Sequence, residues 1–248
     1  MSKKKLALIA TGAVLGIIVL IFVLTYIVYL PFIKKANAER EYSERLSAEC
    51  GELFSRYPDS VGWMESYYGT DIPLLADADY IDRALEKGFR VGNASELASF
   101  VWYVNTQNAE NVDMTITADI DLSRYKWAPI SCGSDTGRFN GDIDGGGHTI
   151  TGLTINSREF YYGAFIGYEL NACLHDITFD GANIRCKGDG AVCIGEAIGG
   201  SLRNVTAMDC SVDSKWKGGT LVAHNANAAL VNCSADVKLI VGGEEIDG

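Results

Sequence analysis

The sequence predicts an all-β solenoid, a chain wound into stacked parallel rungs, preceded by an N-terminal transmembrane helix and a short helical region. Three observations carry this expectation: a 28-residue repeat in the last third, a glycine-rich and proline-poor composition, and an uncharged apolar run near the start. The 248 residues are 48% hydrophobic, enough for a substantial core, so disorder throughout is excluded. With 27 glycines, 4 prolines and no Gly-x-y period, collagen is excluded as well. The net charge of -11 is uneven, +5 over residues 1–40 and -16 over the rest. A nucleic-acid groove, which needs clustered Lys and Arg, does not fit that balance.

The first element is a tail, 1–5, with Lys3, Lys4 and Lys5. Residues 6–33 hold no charge, and as a helix they would span roughly 42 Å against the ~30 Å of a bilayer core. Tyr26, Tyr29 and Phe32 with Lys34 and Lys35 would form an interfacial belt. The run reads as an uncleaved signal anchor. The other reading is a cleaved signal peptide, suggested by Ala36-Asn37-Ala38, but the run is about twice the usual 7–15-residue apolar core of such peptides. The implied placement is single-pass in the plasma membrane, with a cytoplasmic N-terminus, an extracellular body, and the lipid bilayer as partner through 6–33.

Residues 34–88 are acidic and mixed, and read as a helical stalk or adaptor. Glu39 to Phe54 suits a polar helix with Leu46, Cys50, Leu53 and Phe54 on one side, and Asp79 to Lys87 a second helix ended by Gly88. Residues 89–160 lead into the solenoid. Ser95 is the expected N-cap of a helix whose Leu97, Phe100, Val101 and Val104 share one face. Met114, Ile116 and Ala118 then alternate with threonines as a strand.

Three repeats fill 161–241. An offset of 28 residues carries Gly163-Ala164-Phe165-Ile166-Gly167 to Ala191-Val192-Cys193-Ile194-Gly195 and to Gly219-Thr220-Leu221-Val222-Ala223. It also carries Leu174-His175-Asp176-Ile177 to Leu202-Arg203-Asn204-Val205 and Leu230-Val231-Asn232-Cys233. A fixed period of this size means stacked units that bury their apolar faces against one another. Apolar runs this short, broken by Gly, Asn and Asp, make strands and turns rather than helices. Ile166, Ile194 and Val222 should form one inward column and Ile177, Val205 and Cys233 another. Asp176, Asn204 and Asn232 should stack as a hydrogen-bonding ladder.

The blocks Asn93-Ala94-Ser95-Glu96-Leu97, Thr117-Ala118-Asp119-Ile120-Asp121-Leu122, Trp127-Ala128-Pro129-Ile130 and Phe139 to Ile150, followed by Gly163-Phe165-Gly167 and Val192-Gly195, resemble bacterial surface proteins carrying GLUG-type β-helix repeats. The resemblance spans about 89–241, with Ala223 where the motif would close on glycine. It implies an exported right-handed parallel β-helix of adhesin-like character.

Candidate chemistry is sparse. Asp142-Ile143-Asp144-Gly145-Gly146-Gly147 imitates a calcium loop, but Leu153 stands where the closing glutamate belongs, and a glycine-rich turn explains it. His148, His175 and His224 are too scattered for a local zinc motif and occupy different repeat phases. No catalytic, cofactor or metal residue is assigned. Asp135, Asp142, Asp144, Asp180 and Lys187 are the raw material for the alternative, a membrane-anchored polysaccharide lyase or hydrolase. The seven cysteines cannot all pair. By phase, Cys193 and Cys233 should be buried, while Cys173, Cys186 and Cys210 face out or sit in turns. Asn93, Asn204 and Asn232 head incidental glycosylation sequons.

The expected function is a cell-surface solenoid for binding, adhesion or assembly, without enzymatic activity and without cofactors. The acidic tail 242–248 is too short for a capping helix. Either it guards the last rung, or a protein partner or second copy covers that rung, and the latter is the expectation.

Overall fold

The computed structural model describes residues 3–58, 67–132, 137–157 and 160–246, with side chains described for all of these except 3–18, 21 and 157. Two units emerge, 1–45 and 46–248. One long helix, α1 (Lys3–Glu49), runs through the first and into the second.

The transmembrane helix expected at 6–33 has to be corrected. Among the described residues no helix is long and apolar enough to cross a membrane. The helix does not stop at Ile33 but continues through Lys34, Lys35, Glu39, Arg40, Glu41, Glu44 and Arg45, where Lys35–Glu39 and Arg40–Glu44 ion pairs favour an ordinary polar helix.

In the second unit, α2 (Gly51–Arg56), α3 (Ile72–Leu75) and α4 (Ala78–Lys87) follow. The polar helix expected over 39–54 is therefore divided at Cys50. Its predicted inner side is nevertheless buried, with Leu46, Cys50 and Leu53 all under 5% exposed. Asp77 caps α4 by accepting from the backbone N–H of Asp79 and Tyr80, and Gly88 ends it at φ 85°. After β1 (Phe89–Val91) comes α5 (Ala94–Gln107). Its cap is Asn93 rather than the expected Ser95. Asn93 Oδ1 accepts from Glu96 N at 3.0 Å, while the Ser95 hydroxyl is already committed to Leu75 O at 2.6 Å.

Helix α5 closes the start of the solenoid. Leu97, Phe100, Val101, Trp102 and Val104 are buried, and the Phe100 ring meets Phe139 edge-on at 6.2 Å. Asn105 donates to Pro129 O at 2.8 Å and accepts from Ser131 N at 2.6 Å, so groups at an open sheet end find partners.

About five turns of solenoid follow. The main stack is β1, β2 (Met114–Ile116), β4 (Asp142–Thr151), β8 (Cys173–Asp180), β12 (Ser201–Ser214) and β15 (Ser234–Val241), with β3 (Ile120–Asp121), β5 (Thr154–Ser157), β9 (Asn183–Cys186) and β14 (Ala229–Val231) beside it. A second stack is β7 (Ile166–Leu170), β11 (Ile194–Ile198) and β13 (Val222–Ala226), and a third is β6 (Tyr162–Gly163) and β10 (Asp189–Gly190). All of these pairs are parallel.

The 28-residue period is the rung. Ile194 pairs with both Ile166 and Val222, and Val205 with Ile177, each in register. Ile166, Ile177, Ile194 and Val205 are at most 2% exposed. The ladder also forms: Asn204 donates to Asp176 Oδ1 at 2.6 Å and Asn232 to Asn204 Oδ1 at 2.7 Å. All three residues are left-handed, with φ between 53 and 55°, so the column supplies both a sharp corner and a hydrogen-bonded seam. Asn204→Ala should lower stability by about 2 kcal/mol, and Asn204→Gly by less, because glycine relieves the backbone cost while still losing the seam. Urea unfolding checks the order of the two.

Cys193 is fully buried as its phase predicts, whereas Cys186, Cys210 and Cys233 depart from theirs. Cys186 and Cys210 are buried at 6% and 4% exposure. The Cys186 side chain lies against Gly163 and Gly190, while Cys210 Sγ donates to Met208 O at 3.1 Å and accepts from Ala182 N at 3.4 Å. The two glycines leave room for the Cys186 side chain, and the two backbone hydrogen bonds hold Cys210 inward. Cys233, expected inside, is half-buried, because it occupies the inner column on the last rung.

That last rung is partly guarded. The tail forms β16 (Glu244–Ile246), antiparallel to Leu239–Val241, with Lys238 and Glu245 paired at 3.0 Å. Leu230, in the same column as the buried Leu174 and Leu202, stays 45% exposed.

Candidate functional site

Two outward columns face one another where β6 and β10 meet the stack of β7, β11 and β13. Register places Asp189 on Tyr162, and the bridge between Gly190 and Gly218 brings Lys217 over Asp189. On the other wall Glu196 pairs with Tyr168 on one side and His224 on the other. The walls are tied together: Tyr162 Oη donates to Glu196 Oε2 at 2.5 Å, and the Tyr162 and Tyr168 rings stack at 5.5 Å. His224 Nδ1 lies 3.5 Å from Glu196 Oε1, and Lys217 Nζ 3.9 Å from Asp189 Oδ2.

Burial gives this cleft its electrostatics. Asp189 is only 4% exposed, and loss of water pushes its carboxyl above the usual range, opposed by the charge of Lys217. Burial, then the bond to Glu196, raises the Tyr162 phenol. The cleft thus holds two carboxylates, a phenol that donates, an ammonium and an imidazole around stacked aromatic faces. Such a set can hydrogen-bond a hydroxyl-rich ligand and stack on its apolar faces.

Beside it runs an aromatic step. Tyr161 and Trp216 sit two rungs apart, with Gly188 on the rung between; Tyr161 O accepts from Asp189 N and Gly188 O from Trp216 N. A Cβ at Gly188 would overlap the Tyr161 carbonyl. The two rings close over the glycine at 5.2 Å, edge to face, while remaining 44% and 55% exposed. Next to the step lies an open groove of about 610 Å³ lined by Arg185, Lys187, Asp213 and Lys215, among others. Arg185 is paired with Asp213 at 3.1 Å, whereas Lys187 and Lys215 have no ion pair among the described residues.

The residues singled out from the sequence are distributed differently. Asp142, Asp144 and His175 converge with Asp176: His175 Nδ1 is 2.7 Å from Asp176 Oδ2 and 3.7 Å from Asp144 Oδ1, and Nε2 is 3.3 Å from Asp142 Oδ1. Bonds from Asn204 and His175 hold the Asp176 carboxyl below its usual range, which fits a structural seam. Gly146 and Gly147 adopt φ of 60° and 76° inside β4, the glycine corner expected there. His148 pairs with Asp119 at 3.3 Å, and the three histidines are not gathered. Lys187 borders the groove, Asp180 ends β8, and Asp135 lies outside the described residues. Asn93, Asn204 and Asn232 all spend their side chains on caps or the ladder. The aromatic cleft was not identified from sequence. Its first column, Tyr162, Asp189 and Lys217, advances by 27 and then 28 residues, which a strict 28-residue alignment misses.

No protein-family model matches the chain. An alignment 145 positions long, covering 54% of the chain, is 30% identical to part of halomucin from Haloquadratum walsbyi. The match covers about 2% of halomucin's own length. A solved structure from Bacteroides ovatus, described as a candidate immunoglobulin A1 protease, overlays 64% of this chain and 78% of its own at a TM-score of 0.36 and 14% identity. An overlay this loose carries no functional argument.

Proposed function

We propose that the chain is a cell-surface β-solenoid module that binds ligands along its flank, with repeats of the GLUG type. The observation that carries the reading is the flank itself, where a rigid stack of rungs holds an exposed Tyr161–Trp216 step beside a cleft whose Asp189 is buried. Large aromatics kept in water next to a buried carboxylate cost stability, and binding offsets that cost. The likeness to halomucin, named as a mucin, supports an exported setting.

An enzyme on the same scaffold is the second reading, favoured by the buried Asp189 beside Glu196 and Tyr162. In the reading adopted here these groups hold ligand hydroxyls and no bond is broken. Assembly is assigned to the end rung, through Leu230 and Val231 beyond the segment that β16 covers.

Intact cells expressing the full chain with an epitope after Gly248 should stain with antibody and lose the epitope to added protease. Staining only after lysis overturns surface placement. Sedimentation of the purified chain should show concentration-dependent association that Leu230→Lys abolishes. A strict monomer overturns self-assembly at that rung.

A further inference from the structure

We infer that the flank binds an acidic polysaccharide, with hexuronate residues lying across the Tyr161–Trp216 step. This rests on the binding reading above and names its ligand class. Four observations converge on it.

The first is shape. Tyr161, Gly188 and Trp216 follow one another from rung to rung, so the step runs along the solenoid axis with both rings exposed, which suits a polymer better than a small molecule enclosed in a cavity. Secondly, the platform is aromatic. Exposed faces of Tyr161 and Trp216 offer π surfaces to the C–H faces of pyranose rings.

Charge is the third. In a chain of net charge -11, Lys187 and Lys215 stand on successive rungs directly before Gly188 and Trp216, without ion pairs among the described residues. Each lines the groove beside the step. Two unpaired ammonium groups one rung apart suit carboxylates repeated along a polymer. The fourth is the hydrogen-bonding set. Glu196, Asp189 and His224 are acceptors or donors for hydroxyls, and among the described residues the buried Asp189 has Lys217 as its ion-pair partner. A neutral glycan would leave the lysines unused, and a purely anionic partner would leave the stacked rings and the carboxylates unused.

Native electrophoresis of the full chain through gels containing polygalacturonate should retard it, with much weaker retardation in dextran. Trp216→Ala should weaken the retardation roughly tenfold by removing one stacking face. The double variant Lys187→Gln with Lys215→Gln should weaken it by about as much and flatten its salt dependence. All three side chains replaced here are exposed, and circular dichroism matching wild type confirms folding. Unretarded wild-type protein, equal retardation of Trp216→Ala, or stronger retardation in dextran each overturns the proposal. Cell-surface staining without polygalacturonate binding defeats the ligand class alone, whereas binding without staining defeats the surface placement alone. Shortening of the polymer by wild-type protein supports the site and overturns its non-catalytic reading.

Discussion

Replacing Val205 by Asp should cost about 4 kcal/mol or abolish folding, because Val205 is fully buried between rungs in the column that begins at Ile177. The carboxylate would lie over Ile177 in a fully buried column, where it could not hydrate. Val205→Ala, which only removes two methyl groups, should cost about 2 kcal/mol and keeps the test readable if the aspartate variant does not fold. Met208→Asp, on the same strand but 42% exposed, should stay within about 0.5 kcal/mol of wild type. Urea midpoints of the three variants measure the inward and outward faces of β12. Equal losses at Val205 and Met208 would mean that the register of the solenoid is different.

A second large effect concerns Glu169, which is fully buried in β7. One carboxylate oxygen accepts from Ala172 N at 2.8 Å and the other, Oε1, has no hydrogen-bond partner among the described residues. Burial pushes the carboxyl up to about 7, against 4.5 for an unburied glutamate, although bonds from Ala172 and Ile198 pull the other way. The folded chain therefore holds this proton more tightly than the unfolded chain. Glu169 is least costly below about pH 4.5, and its penalty grows as the pH rises to about 7. Above that it reaches about 3 kcal/mol. Glu169→Gln removes the charge, so the variant should be more stable than wild type at pH 8, and the difference should shrink on acidification to pH 5. Parallel stability curves for the two proteins between pH 5 and 8 would show that Glu169 is not a buried titrating group.

The repeat makes the rungs legible in the sequence. Columns one period apart must lie over one another in a parallel stack, so Ile166, Ile194 and Val222 were assigned to one face by arithmetic, and the structure pairs them residue for residue. Asp176, Asn204 and Asn232 were legible for the same reason, and because Asn and Asp tolerate left-handed corners. The cap at Asn93 was missed although Glu96 three residues later marks it, because Ser95 is an equally good capping type and only its contact with Leu75 shows that its hydroxyl is engaged elsewhere.

Sequence alone thus determined the solenoid: its period, its inward columns and its asparagine seam, because these depend on residue type and spacing along one chain. Tertiary structure decided what period cannot express. It carried α1 past the end of the apolar run into charged turns, turned Cys186 and Cys210 inward at corners, and folded the acidic tail back on β15. It also assembled the candidate site, because Tyr162 and Glu196 meet across a corner between two different stacks. The distance between those stacks depends on the side chains packed within the rung, and no spacing in the sequence records it.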